Sequence, residues 1–121
     1  MAIKQREVYL LPHPISLKSI EKHPFIVLST EQANSHERTF IAVMITGSEF
    51  TRDEFSFDLE DNMFEFKLRK KECHARMHLV TLCLNEEIIG SKVNTMKEFF
   101  FKELMKSIGD LIFNYDFNPS S

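Results

Sequence analysis

Tryptophan is absent from this chain, cysteine occurs only twice, and no apolar run is longer than Phe40–Ile45. That run is too short to cross a bilayer, which takes about 20 apolar residues. Lys4 and Arg6 stand near the N-terminus with no apolar stretch of signal-peptide length after them. Cys73 and Cys83 make neither a disulfide framework nor a CxxC redox pair, so buried free thiols in a reducing compartment are expected. A cytoplasmic location without membrane contact follows as the expectation. An excess of positive charge is also missing. The formal net charge is −3, which speaks against a nonspecific nucleic-acid binder and leaves any phosphate contact to a local patch. No repeat, linker or low-complexity tract interrupts the 121 residues, so one domain spanning the chain is expected.

What the chain has instead is phenylalanine, twelve against two tyrosines. Phe carries no polar handle, so most of these rings should be buried or at an interface. Val8–Leu11 reads as a first strand, ended by Pro12 and Pro14. Pro24–Ser29 and Thr39–Thr46 are apolar runs rich in β-branched residues, as in strands buried on both sides. Glu54–Leu59 and Met63–Leu68 alternate around the Asp61-Asn62 turn signal and predict a hairpin, with Phe55, Phe57 and Leu59 sharing a face. Lys67, Arg69, Lys70 and Lys71 form a short basic cluster.

The most informative stretch is Cys73–Leu79. As a strand running to about Thr81 it sends His74, Arg76 and His78 to one face, and Cys73, Ala75, Met77 and Leu79 to the other. Thr95-Met96-Lys97-Glu98 has the form of a capping box. Met96, Phe99, Phe100, Leu104 and Ile108 follow at helical spacing, with Gly109 as the stop. The Phe99–Phe101 triplet is too wide for one stripe and suggests a helix covered from two sides. Five or six strands followed by one helix predict a mainly β fold, a small, strongly bent antiparallel barrel with a C-terminal helix on it. The expected bounds are about 5–93 for the barrel, 95–108 for the helix and 109–121 for a tail.

In that order, the motifs resemble the PemK/MazF family of toxin ribonucleases. Lys22-His23-Pro24-Phe25-Ile26-Val27-Leu28-Ser29 is similar to the family's "RPvlVls" segment, and Asn34 stands where the family has an Asn after the second strand. Phe40–Ser48 resembles the "vvvvpiTs" strand that ends at an active-site Thr, here Thr46. Ala75–Leu79 resembles the strand carrying a catalytic Arg, here Arg76. The chain departs from the pattern with His23 in place of Arg and His78 in place of an acidic residue. The resemblance implies an SH3-like barrel of the PemK/MazF/CcdB type, usually a homodimer. It implies metal-independent cleavage of single-stranded RNA without a cofactor, and a cognate antitoxin as partner; DNA is not an expected partner.

RNA transesterification needs a base for the 2′-OH proton, an acid for the leaving 5′-oxygen and positive charge at the phosphorane. Two imidazoles, with an ordinary pKa of about 6.5, and one guanidinium supply all three. His23 and His78 are therefore the candidate acid–base pair, Arg76 the transition-state cation and Thr46 a positioning hydroxyl. Ser48, Gly47 and Asn34 are candidate substrate contacts, Asn34 with a loop-stabilising alternative. Two other readings stand beside this one. His74 and His78 have the spacing of a zinc His-x-x-x-His pair, but Ala75 replaces the motif's Glu and Arg76 is cationic. A barrel without catalysis, binding RNA or a protein, is the other.

Overall fold

The computed structural model describes residues 2–14, 21–47, 52–68 and 72–115. Its elements are β1 (Glu7–Pro12), β2 (Lys22–Val27), α1 (Glu31–Asn34), β3 (Thr39–Thr46), β4 (Ser56–Leu59), β5 (Cys73–Leu84), β6 (Ile89–Thr95) and α2 (Glu98–Leu111). The six strands form one antiparallel sheet in the order β4-β5-β3-β2-β1-β6.

Both faces of this sheet are buried, which is why its central strands read as unbroken apolar runs rather than alternating ones. On one face Val8, Ile26, Val43, Ile45, Ala75 and Met77 join Phe101, Leu104 and Ile108 of α2. On the other, Tyr9, Leu11, Phe25, Val27, Phe40, Ala42 and Met44 gather with Ile3. Each fully buried Leu, Ile or Phe contributes about 1.5–3 kcal/mol relative to exposure.

The expected barrel is an open sheet. Its two ends are joined by one bridge, Phe64 with Met96, and by bonds from Glu65 N to Thr95 O (3.0 Å) and Lys97 N to Met63 O (2.8 Å). The Asn94 side chain extends this seam: it accepts from Phe66 N at 3.1 Å and donates to Phe66 O at 3.0 Å. Met63–Leu68 is therefore not the second strand of a hairpin. Asp61–Met63 is a single 3-10 turn, and the chain then runs beside β6.

β6 is a strand that side-chain pattern does not reveal. Ser91, Lys92 and Val93 are exposed, and the element exists because β1 supplies a ladder to it, Glu7 opposite Thr95 and Val8 opposite Asn94. The same pairing removes the capping box. Thr95 is buried within β6, Met96 N donates to Arg6 O, and the residue capping α2 is Lys97, without a side-chain cap bond. Of the phenylalanine triplet, Phe101 is buried and Phe100 packs on the core, while Phe99 is exposed.

Gly109 does not stop the helix; α2 continues through it to Leu111. A Cβ built there would meet nothing within 4 Å. Gly109→Ala should therefore raise stability by about 0.5–1 kcal/mol, seen as a higher Tm in thermal denaturation. A lower Tm would show that the helix end needs the glycine.

Candidate functional site

The site is organised by an irregularity in the β3–β5 ladder. Val43 lies opposite Val80, but Ile45 lies opposite Ala75. Over that interval β3 advances two residues (43 to 45) and β5 advances five (75 to 80), so three extra residues bow out of β5. Bulges of this kind bend a strand and re-aim its side chains. Arg76 and His78 are within it. The bulge also breaks the alternation expected from the sequence: Met77 belongs to the first core cluster, whereas Leu79 packs on the second.

The three basic residues of β5 have different environments. His74 is fully buried, Arg76 half-buried and His78 exposed. His74 thus belongs to the interior, not to a solvated polar face. It is flanked by Thr46 on β3 and Asp58 on β4. Arg76, opposite Ser56, holds its Nη2 3.1 Å from His78 Nε2. A guanidinium carries only donors, so this contact is a hydrogen bond when His78 Nε2 is the acceptor. Among the described residues Arg76 Nε is buried without a hydrogen-bond partner. The Phe55 ring centroid lies 5.9 Å from that of His78.

His23 is on β2, opposite Leu11 of β1, and the β2–β3 pairing ends at Phe25 opposite Met44. Thr46, His74 and Asp58 stand in one row across β3, β5 and β4. Thr46 and the following Gly47 are half-buried at the end of β3. Ser48, Arg69, Lys70 and Lys71 lie outside the described residues.

Two residues of this region escaped the sequence reading. His13, just after β1, sets its ring edge-on to His23 with centroids 5.4 Å apart. Its position follows from the Leu11–His23 pairing, which brings the residue after β1 to that place. Alternation predicts Phe55 within a strand, sharing a face with Phe57 and Leu59, and it stands instead in the turn before β4.

Asn34 is placed in the interior, at the end of α1. It is buried, its amide donates to Ile3 O (2.8 Å) and Ser29 O (3.1 Å), and its Oδ1 accepts from Ser29 Oγ. Ser29 Oγ in turn accepts from Ile41 N at 2.8 Å. Both amide protons are thus engaged in tying the N-terminal segment and α1 to β3. A cleft of about 610 Å³ at the β4 edge is lined by Arg52, Asp58, Leu59, Glu60, Glu72 and Cys73, away from Arg76 and His78. Arg52 crosses it in an ion pair with Asp58 at 2.6 Å. No three His, Cys, Asp or Glu gather as a metal-ligand set among the described residues.

Burial of Cys83, with a smaller effect from Glu87, pushes its thiol from an ordinary 9.0 up to about 12. Burial likewise raises the Tyr9 phenol, with further contributions from its hydrogen bond to and the charge of Glu7. No described helix is long and apolar enough to cross a membrane.

No family model matches the chain, and no curated protein matches it. Solved structures do. An endoribonuclease in complex with its cognate antitoxin from a mycobacterial species has a TM-score of 0.65 at 13% identity, covering 90% of this chain and 91% of that one. A MazE–MazF complex from Deinococcus radiodurans gives 0.71 at 12% identity, covering 95% and 100%. The toxin MazF-mt6 of Mycobacterium tuberculosis gives 0.64 at 11% identity, covering 87% and 94%. The chain has the MazF-like fold, a mostly β sheet with a C-terminal helix.

Two outcomes follow for stability. Asn34→Ala leaves Ile3 O and Ser29 O without their donor and should cost about 1–3 kcal/mol, measured by chemical denaturation. For Cys83 the raised thiol favours folding fully below the unfolded value, near 9, and that contribution is lost as pH rises towards about 12. The stability difference between the unaltered chain and Cys83→Ala should therefore shrink across that window. A difference independent of pH would show that the thiol is not protected by burial.

Proposed function

We propose that the protein is a metal-independent endoribonuclease toxin of a type II toxin–antitoxin system, acting on single-stranded RNA. The observation that carries this reading is the Arg76–His78 pair on the β5 bulge, a guanidinium with a buried Nε that has no hydrogen-bond partner among the described residues, its Nη2 3.1 Å from an exposed imidazole. It is supported by likeness in fold to solved endoribonucleases, one of them in complex with its cognate antitoxin.

The chemistry is transesterification. A substrate phosphate draws the Arg76 donors to its oxygens, and this frees the His78 Nε2 lone pair. His78 then takes the 2′-OH proton, O2′ bonds to phosphorus and the P–O5′ bond breaks. His23, protonated, gives its proton to the leaving 5′-oxygen. The products are a 2′,3′-cyclic phosphate and a 5′-hydroxyl. Arg76 stabilises the charge that develops on the phosphorane. Thr46, opposite His74, hydrogen-bonds the phosphate, and Gly47 next to it borders the substrate path; Ser48 is a further substrate contact expected from the sequence. The antitoxin is the expected protein partner. A homodimer is the proposed assembly, and Ile41, Leu82 and Leu84, exposed on paired positions of β3 and β5, offer an apolar face for it.

The test is cleavage of single-stranded RNA in EDTA. Arg76→Ala and His78→Ala should each slow cleavage by about 10²-fold or more. The pH profile should be bell-shaped. His78→Ala should remove its rising limb, because the base must be deprotonated, and His23→Ala its falling limb, because the acid must be protonated. Normal cleavage by the Arg76/His78 double variant would sink the scheme. Binding without cleavage by the unaltered chain would make it a nonenzymatic RNA-binding module instead.

A further inference from the structure

Phe55 occupies a position that its sequence neighbours do not explain. Alternation places it with Phe57 and Leu59, and those two pack on the first core cluster. Among the described residues Phe55 joins neither cluster. It is half-buried, with its ring tilted 50° to His78 at 5.9 Å between centroids.

The turn that turns it outward is cross-braced. Phe55 N donates to Asp53 Oδ1 (2.9 Å), Asp53 N donates to Ser56 Oγ (2.9 Å), and Ser56 N donates to Asp53 O (3.1 Å). Phe55 O accepts from Met77 N at 3.0 Å, which ties the ring's backbone to the β5 bulge. A backbone held this way, with the ring against His78, lowers the ordering cost when a ligand settles on the ring. Its exposed surface has no hydrogen-bonding group, so what it can bind is a flat, apolar face.

We infer that Phe55 is the stacking platform for one unstacked nucleobase, that of a nucleotide adjoining the phosphate at Arg76. This subsite rests on the nuclease reading and deepens it: the ligand is a base in single-stranded RNA, gripped by its face and not by its edge. Every base has such a face, so the platform fixes the strand's position while tolerating base identity.

The experiment uses a single-stranded oligoribonucleotide carrying a cut site mapped on a longer transcript, and a series in which one base at a time is replaced by an abasic ribose. Phe55→Leu keeps an apolar side chain without a π-face. It should raise KM by about 5- to 150-fold, the range for losing one stacked base, with kcat within about twofold of the unaltered chain. Phe55→Tyr and Phe55→Trp should restore KM. One abasic position should impose a similar KM penalty on the unaltered chain and almost none on Phe55→Leu. The proposal is overturned if Phe55→Leu keeps the original KM, if Tyr and Trp fail to rescue, or if the abasic and Phe55→Leu penalties simply add at every position. A chain that neither binds nor cleaves any single-stranded RNA overturns the nuclease reading itself, and the platform with it.

Discussion

The β3–β5 ladder is the constraint on which the rest of the structure depends. It runs from Thr39 opposite Leu84 to Thr46 opposite His74, and it holds β4 on one side and β2 on the other. Its bulge lets one twelve-residue strand do two things. At one end Cys73, Ala75 and Met77 fill the core beneath α2. Over the same residues Arg76 and His78 are carried outward in contact with each other. A regular ladder would keep Leu79 in step with Met77; the bulge sends the two to opposite core clusters instead.

Polar groups close the structure where strand pairing runs out. Asn94 bonds both backbone groups of Phe66 and so extends the seam between the sheet's two ends beyond a single bridge. Asn34 and Ser29 tie Ile3 and α1 to the central strand β3. A buried amide is stable only when its donors and acceptor are satisfied, and these are. The short 3-10 turns and the four-residue α1 need such supports, being too short to hold themselves.

The apolar runs were the most legible part of the sequence. Thr39–Thr46 is a strand with the bounds its composition predicts, because a strand buried on both faces needs apolar residues at nearly every position. β1 and β2 differ from expectation by a residue or two, and α2 is present with its predicted core residues Leu104 and Ile108. Misreadings gathered where backbone pairing outweighed side-chain pattern. Phe64 and Phe66 alternate like a strand but form only one bridge, while the polar Ile89–Thr95 is a strand because β1 pairs with it. Thr95 had the sequence of a helix cap, and its place in that ladder took it away from the role.

The site divides along the same line. Residue order alone put Arg76 and His78 on one face of one strand and made them a pair, since a two-residue repeat is a local property of extended backbone. Whether those side chains are accessible was not local. His74 shares their parity, yet it is buried, in the regular part of the ladder where Thr46 and Asp58 pair with it from distant parts of the chain. The placing of His23 opposite Leu11, of His13 against His23 and of Phe55 beside His78 depends on which strands pair and in what register. Local sequence determines what each strand can bury; only the closing of non-local ladders decides which of its polar side chains meet.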